Sequence, residues 1–341
     1  MSFVFKPGAL KSPASPRDWH FPLKTAPGLQ ELPEEGGLED FPFEIRDQLD
    51  MPICTGMSGA YLQSMHQSKE KNESRVMSGL ALYRLNKRID GLDPLAAGST
   101  NKATVENLRL LGVCRELLFP TNRRMYDSGA SPHDNAGLMA DAYANRIAAY
   151  TKCRSFTELL QSLAEKRPVI FALFLTKNFW LKAKNGHVPR EVTGELAGGH
   201  SMLALRFNTR ERWVKVVQSW GKQPFTDEGY MYIPFEWFEH VQSDWGNFPF
   251  LMDAYACWDY GPPPELVIPR TLTVGTIRPQ LFLNGMKVQD ERVIAIIAEE
   301  LGRTLVSIRT LEVIGEMLVS IIGKKVEVSF DAATYEVRIN I

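Results

Sequence analysis

At 341 residues the chain has room for about two domains of roughly 100–200 residues each. Its 39 basic and 40 acidic residues nearly cancel and form no long basic stripe, which argues against nucleic acid as a main partner. The longest clean apolar run, VIFALFL at 169–175, is far short of the ~20 residues that span a bilayer, and the start, MSFVFKPGALKSP, lacks the pattern of a secretory signal.

Residues 1–45 are rich in Pro and Gly and read as an extended arm lying on a domain. From Cys54 a helical pattern begins: Met57, Ala60, Tyr61 and Met65 recur at offsets of three, four and eight, predicting a helix over 54–68. Further helices are expected at 75–87, 100–112 and, after the cap-like Ser155, at 155–166. The character then changes. Strands are predicted at 169–175, at 201–207 with Leu203, Leu205 and Phe207 on one face, at 213–218 and at 229–234. Helices first and strands second argue for an α+β domain over 46–260. A Pro-rich linker follows at 261–276, then a small α+β unit at 277–341. That unit has a hairpin turning at Asn284-Gly285, helices near 290–301 and 306–318, and strands on either side of DAAT at 331–334.

The four cysteines, Cys54, Cys114, Cys153 and Cys257, form neither a CxxC pair nor a disulfide scaffold, and the six histidines show no metal-ligand spacing, so no metal and no cofactor is expected. Cys54 stands apart because it opens a predicted helix. Unpaired N–H groups and the dipole at a helix N-terminus favour the thiolate, which is the reactive form. A nucleophilic sulfur needs a base, and His200 in LAGGHSMLAL, at the mouth of a strand behind a glycine pair, is the candidate. A four-residue connection from Asn208 to Glu211 would pair Phe207 with Arg212 and put His200 opposite Ser219, give or take one. Gln218 would then lie close enough to orient the imidazole. Gln48, six residues before Cys54, could donate its amide to an oxyanion, with the Cys54 N–H as second donor. Cys114, Cys153 and Cys257 read as core thiols, and the remaining histidines as surface or structural.

These motifs, in this order, resemble the papain family of cysteine peptidases in its bacterial and phage form: DQLDMPIC with Thr55 after it, then GGHSMLAL, QSWG and GYMYIP. PRDWHF, GVCRE, RPVIFALFL and NGHVP fall in the family's order too, so the resemblance covers about residues 10–260. It implies a papain-like two-lobed fold, with a helical lobe and a β-barrel-like lobe, acting on a peptide or protein substrate. It implies Cys54 as nucleophile, His200 as base and acid, Gln48 as oxyanion donor and Gln218 in the place of an orienting Asn. Trp220 would shield the Gln–His bond, and Gly98 and Gly199 would offer backbone to an extended peptide.

Three departures accompany the resemblance. Gln218 replaces Asn. Pro52-Ile53 replaces small residues before the nucleophile, so Ile53 is expected in the substrate wall, favouring a small side chain or obstructing the cleft. The N-terminal arm matches a lead-in to the domain, so activation by propeptide removal is not indicated. The tail's LFLNGMKV, GRTLVSIR and VEVSFDAATYEVRI resemble the copper amine oxidase N-terminal-like stalk module, which implies an attachment unit for a protein or cell-surface partner, without copper. A cytoplasmically made protein that is virion-associated or released by lysis would reconcile such a module with the missing signal. A second reading stays open: a papain fold retired from catalysis, serving as a structural or adhesive component of a phage particle. Ile53 filling the cleft, or Gln218 turned away from His200, would favour it.

Overall fold

The computed structural model describes residues 6–13, 32–71, 75–242 and 247–259, together with the backbone of 281–283, 286–287, 327–331 and 336–340. It divides into two compact units, residues 1–265 and 266–341.

In the first unit two short strands, β1 (Ala9–Leu10) and β2 (Glu35–Gly37), precede helix α1 (Cys54–Lys71). Positions 54–64 of α1 are buried without a break. A helix hidden on every side is a central element, not a surface one. Its glycines permit this: a methyl group on Gly56 would lie 2.2 Å from the Gly79 carbonyl of the next helix. That helix, α2 (Gly79–Asp90), starts at Ser78, whose hydroxyl accepts the Ala81 N–H at 3.0 Å, and stops at left-handed Gly91. Strand β3 (Ser99–Thr100) leads into α3 (Asn101–Leu110), capped by Thr100. Short helices α4 (Arg123–Asp127) and α5 (Ala136–Tyr143) complete the helical side.

After strand β4 (Ala149–Lys152), helix α6 (Phe156–Ala164) is capped by Ser155, the residue that marked its start in the sequence. Then come β5 (Val169–Thr176), α7 (Asn178–Leu181), β6 (Leu196–Asn208), β7 (Trp213–Val217), β8 (Tyr230–Pro234) and α8 (Phe235–Glu239). The pair β9 (Val241–Gln242) and β10 (Phe248–Pro249) precedes β11 (Leu251–Trp258). A seven-stranded antiparallel sheet runs β4-β11-β5-β6-β7-β8, with β2 also paired to β6. Its two faces are both covered. Ile170, Leu203, Leu205, Val217 and Tyr255 join the core around α1 and α2, while Phe171, Met202, Ala204, Val214 and Val216 join a second core with α6 and α8. No described helix is long and apolar enough to cross a membrane.

The expected shared face of Leu203, Leu205 and Phe207 is corrected here. The β6–β7 register shifts between Ala204 and Arg206, and Phe207 belongs to the second core. An extra residue on one strand turns every later side chain over. The pairing differs as well: the connection is 209–212, one residue later than expected, so Phe207 faces Val214, not Arg212; the bulge takes back one of those two places, and continuing the Leu203–Val217 register brings His200 across from Trp220.

In the second unit β12 (Leu281–Leu283) pairs antiparallel with β13 (Met286–Lys287) and parallel with β15 (Glu336–Asn340), which pairs with β14 (Glu327–Asp331). Both expected hairpins are present. The helices expected at 290–301 and 306–318 lie outside the described residues.

Candidate active site

Cys54 is the first residue of α1 and is fully buried. Burial pushes its thiol up to about 11, while the nearby backbone N–H groups of Ser201, Gly8, Thr55 and Cys54 itself pull the other way. The helix start therefore does what its position promises, but desolvation outweighs it. Ser201 follows His200 on β6, and its hydroxyl lies 2.7 Å from that of Ser58 in the first turns of α1. The structure thus brings the 200–201 stretch of β6 against the Cys54 end of α1. His200 is likewise fully buried, and desolvation alone lowers its pKa to about 3. Its ring stacks on Trp220, with centroids 4.5 Å apart and planes 16° from parallel.

Gln218 does not take the role read for it. Its Nε2 donates to the carbonyls of Gly221 at 3.2 Å and Gly229 at 3.1 Å, and its Oε1 accepts the Trp220 N–H. The shifted register carries Gln218 past the imidazole and puts Trp220 there instead. The longer side chain is used to close its own loop. Gln48 is buried beside that loop: its N–H bonds the Ser219 carbonyl at 2.7 Å, and its Oε1 accepts the Ser219 hydroxyl. Its Nε2 points to the Met51 carbonyl at 2.7 Å and to that of Lys6 at 3.5 Å. Ile53 is not in a substrate wall. It is fully buried in the core with Met51, Met57 and Tyr61, because the turn before α1 sends it inward; the carbonyl of Pro52 faces the cleft instead.

The cleft holds a segment of the chain itself. Ser99 N–H donates to the Gly8 carbonyl at 2.9 Å, and β1 runs parallel to β3. A methyl group on Gly98 would meet the Gly8 carbonyl at 3.1 Å, and one on Gly199 the Ala9 carbonyl at 2.4 Å. Both glycines therefore flank an extended peptide, and the described arm is not merely a lead-in to the domain. Ala9 packs with Cys54, Ala172 and Met252.

Sequence reading missed the groups that hold the walls. On α2, Lys87 donates to the carbonyls of Ala96, at 2.8 Å, and Gly98. Asp90 accepts from the Ser99 hydroxyl at 2.6 Å and from the Thr100 N–H at 3.1 Å. Arg84 reaches the Pro94 and Tyr126 carbonyls. At offsets of three they look like a solvated helix face, yet Arg84 and Lys87 are only 2% exposed, and burial lowers Lys87 to about 8.

Xylellain, a cysteine protease from Xylella fastidiosa, superposes with a TM-score of 0.62 at 21% identity, over 75% of this chain and 96% of its own. Procathepsin B of Trypanosoma congolense superposes with a TM-score of 0.53 at 15% identity, over 74% of this chain and 86% of its own. The chain has the papain-like fold. In sequence it is 22% identical to an uncharacterized peptidase C1-like protein of Acanthamoeba polyphaga mimivirus, over 58% of this chain and 67% of that one. No family model matches. In this papain-like fold Cys54 opens α1 on the helical side, His200 lies on β6, and Trp220 lies in the connection after β7, stacked on His200.

Proposed function

We propose that the chain is a cysteine peptidase. The observation that carries this reading is the meeting of α1 and β6: the hydroxyl of Ser58, in the helix that Cys54 opens, lies 2.7 Å from that of Ser201, the residue after His200. The likeness of its fold to a cysteine protease from Xylella fastidiosa supports it. In this reading the Cys54 thiolate attacks a peptide carbonyl carbon, and the developing oxyanion takes hydrogen bonds from the Cys54 N–H and the Gln48 amide. His200, having received the thiol proton, gives it to the leaving amine. Water then cleaves the thioester, releasing the acid and restoring the thiol. Trp220, not Gln218, keeps the imidazole in place by stacking. The test is turnover of a mixed peptide library by the native chain and by His200→Ala. Cleavage that disappears in the variant supports the reading; a folded native chain that cleaves no peptide of the library sinks it.

The second reading, a papain fold retired from catalysis as a structural or adhesive component, is favoured by one observation: the Gln218 amide bonds its own loop and not His200. The burial of Ile53 in the core removes the obstruction that would have been the other argument for it. In either reading the tail is an attachment unit for a protein or cell-surface partner, and a phage-particle setting would suit it.

A further inference from the structure

Strands β11, β5 and β6 put Asp253, Ala172 and Ser201 in one row: Asp253 pairs with Ala172, and Ala172 with Ser201. Residues paired this way turn their side chains to the same face. Asp253 and Ser201 therefore stand about 10 Å apart, across a strand that carries only a methyl group at that point. Asn101, the first residue of α3, spans the gap. Its Nδ2 donates to Asp253 Oδ1 at 2.8 Å, and its Oδ1 accepts the Ser201 hydroxyl at 2.7 Å. An amide offers a donor for the carboxylate and an acceptor for the hydroxyl, which no carboxylate or ammonium does. The other oxygen of Asp253 accepts the Ser12 N–H at 3.2 Å. Having given its proton to Asn101, Ser201 is an acceptor toward Ser58, whose hydroxyl is 2.7 Å away. Ser58 lies one turn after Cys54 on α1, and Ser201 follows His200 on β6. Asn101 is fully buried, and Ser58, Ser201 and Asp253 are buried with it.

We propose that Asn101 is a positioning residue: held by Asp253 on one side and by Ser201 and Ser58 on the other, it clamps the strand that carries His200 to the helix that carries Cys54, and so sets the spacing of base and nucleophile. Apolar packing keeps two surfaces together but is non-directional, whereas hydrogen bonds weaken steeply when their angles are lost and so fix how the strand sits on the helix. The row works only as a whole. Without the amide, Asp253 and Ser201 each keep a buried polar atom that has lost its partner, so the cost falls on this seam and not on the rest of the fold. That the spacing serves peptide cleavage rests on the peptidase reading; the clamp itself does not.

The test is Asn101→Ala in the full chain, with Ser162→Ala as control. The Ser162 hydroxyl is also buried and donates to the Glu158 carbonyl at 2.8 Å, but in the second core. Both variants should lose stability to urea. Only Asn101→Ala should lower kcat on peptide, by about ten- to a hundredfold with KM little changed, the cost of reacting groups misplaced by about an ångström. A second reading needs no turnover: nuclear magnetic resonance of the chain with isotope-labelled histidine. The His200 ring signal, identified by its loss in His200→Ala, carries the ring current of the stacked Trp220. In Asn101→Ala it should move toward that of an unstacked imidazole, while those of His187 and His240, which face Tyr232 and Phe250, stay. Ser162→Ala should move none of them. If Asn101→Ala does not fold, Ser58→Ala, which breaks the same row from the helix side, decides in its place by the same readings. Either reading at its native value in a folded, active variant overturns the clamp. The two ideas fail separately. A native chain that cleaves no peptide, with a His200 signal that moves in the variant, sinks the peptidase and leaves the clamp. A native chain that cleaves peptide, with kcat and signal indifferent to Asn101→Ala, does the reverse.

Discussion

The surroundings of Cys153 and Cys54 differ in what keeps water out. Around Cys153 it is the second core itself, Phe156, Leu159, Leu160 and Leu163 of α6 against the sheet, with the Ser162 hydroxyl 3.7 Å from the sulfur. Around Cys54 it is in part Gly8 and Ala9, residues joined to the domain by hydrogen bonds and one small apolar contact. Burial pushes Cys153 up to about 12 and Cys54 to about 11. The two values are close, but opposite futures follow. A thiol raised by a packed core stays raised as long as the fold stands. A thiol at the first residue of a helix, covered in part by two small residues of another segment, sits where the helix N-terminus favours its thiolate.

The largest effect that tests this contrast comes from deletion of each sulfur. On the proposed peptidase reading, Cys54→Ala should remove peptide cleavage by at least about a thousandfold, since its sulfur is the group proposed to carry the acyl intermediate. Cys153→Ala should leave turnover per folded molecule unchanged and lower stability by about 1–2 kcal/mol, the ordinary weight of a small core truncation. Activity assays paired with urea unfolding read both. Equal losses of turnover in the two variants would erase the distinction.

The pH dependence of stability is next in size. His200, lowered to about 3 from its ordinary 6.5, is neutral in the folded chain while the unfolded chain takes up a proton. Its contribution is full above pH 6.5 and is lost as pH falls toward 3. Cys54, raised to about 11 from 9.0, keeps its proton where the unfolded chain gives it up, so stability declines as pH rises from 9 to 11. The native chain should therefore resist urea best between about pH 6.5 and 9, the ordinary pKa values of the two groups.

How much of this was legible depends on whether the cause was local. Cys54 at a helix start, Ser155 as a cap and the antiparallel pairing of 281–283 with 286–287 follow from neighbours in sequence, and all three stand as read. The place of Gln218 and the face of Phe207 were misread for two reasons: the connection between β6 and β7 sits one residue later than expected, which moves the pairing, and a bulge breaks the alternation. A bulge near Ala204 has no sequence mark, and it displaces every pairing beyond it. Strand β11, with LMDAYACW buried on both faces, offered no clean alternation to read. Asn101 and Asp253 are 152 positions apart in the numbering, and nothing in either stretch points to the other. Arg84 and Lys87 looked solvated because a charged helix face usually is; only the carbonyls of 94–98 arriving over them explain their burial.

Gln218→Ala gives the smallest effect and the finest discrimination. Were Gln218 the group that orients His200, its loss would cost orders of magnitude in kcat, as removal of an orienting partner does. With its amide bonded to Gly221, Gly229 and Trp220, the loss is structural: the loop that carries Trp220 is loosened by about 1–2 kcal/mol for the buried hydrogen bonds removed. Turnover should fall by no more than about threefold, with the pH profile of kcat unmoved, because the stacked Trp220 ring still faces the imidazole. Trp220→Phe supplies the counterpart. It keeps an aromatic face but shortens the stack, so it should shift the His200 limb of that profile while Gln218→Ala does not. The opposite assignment of the pH shift would return the orienting role to the amide.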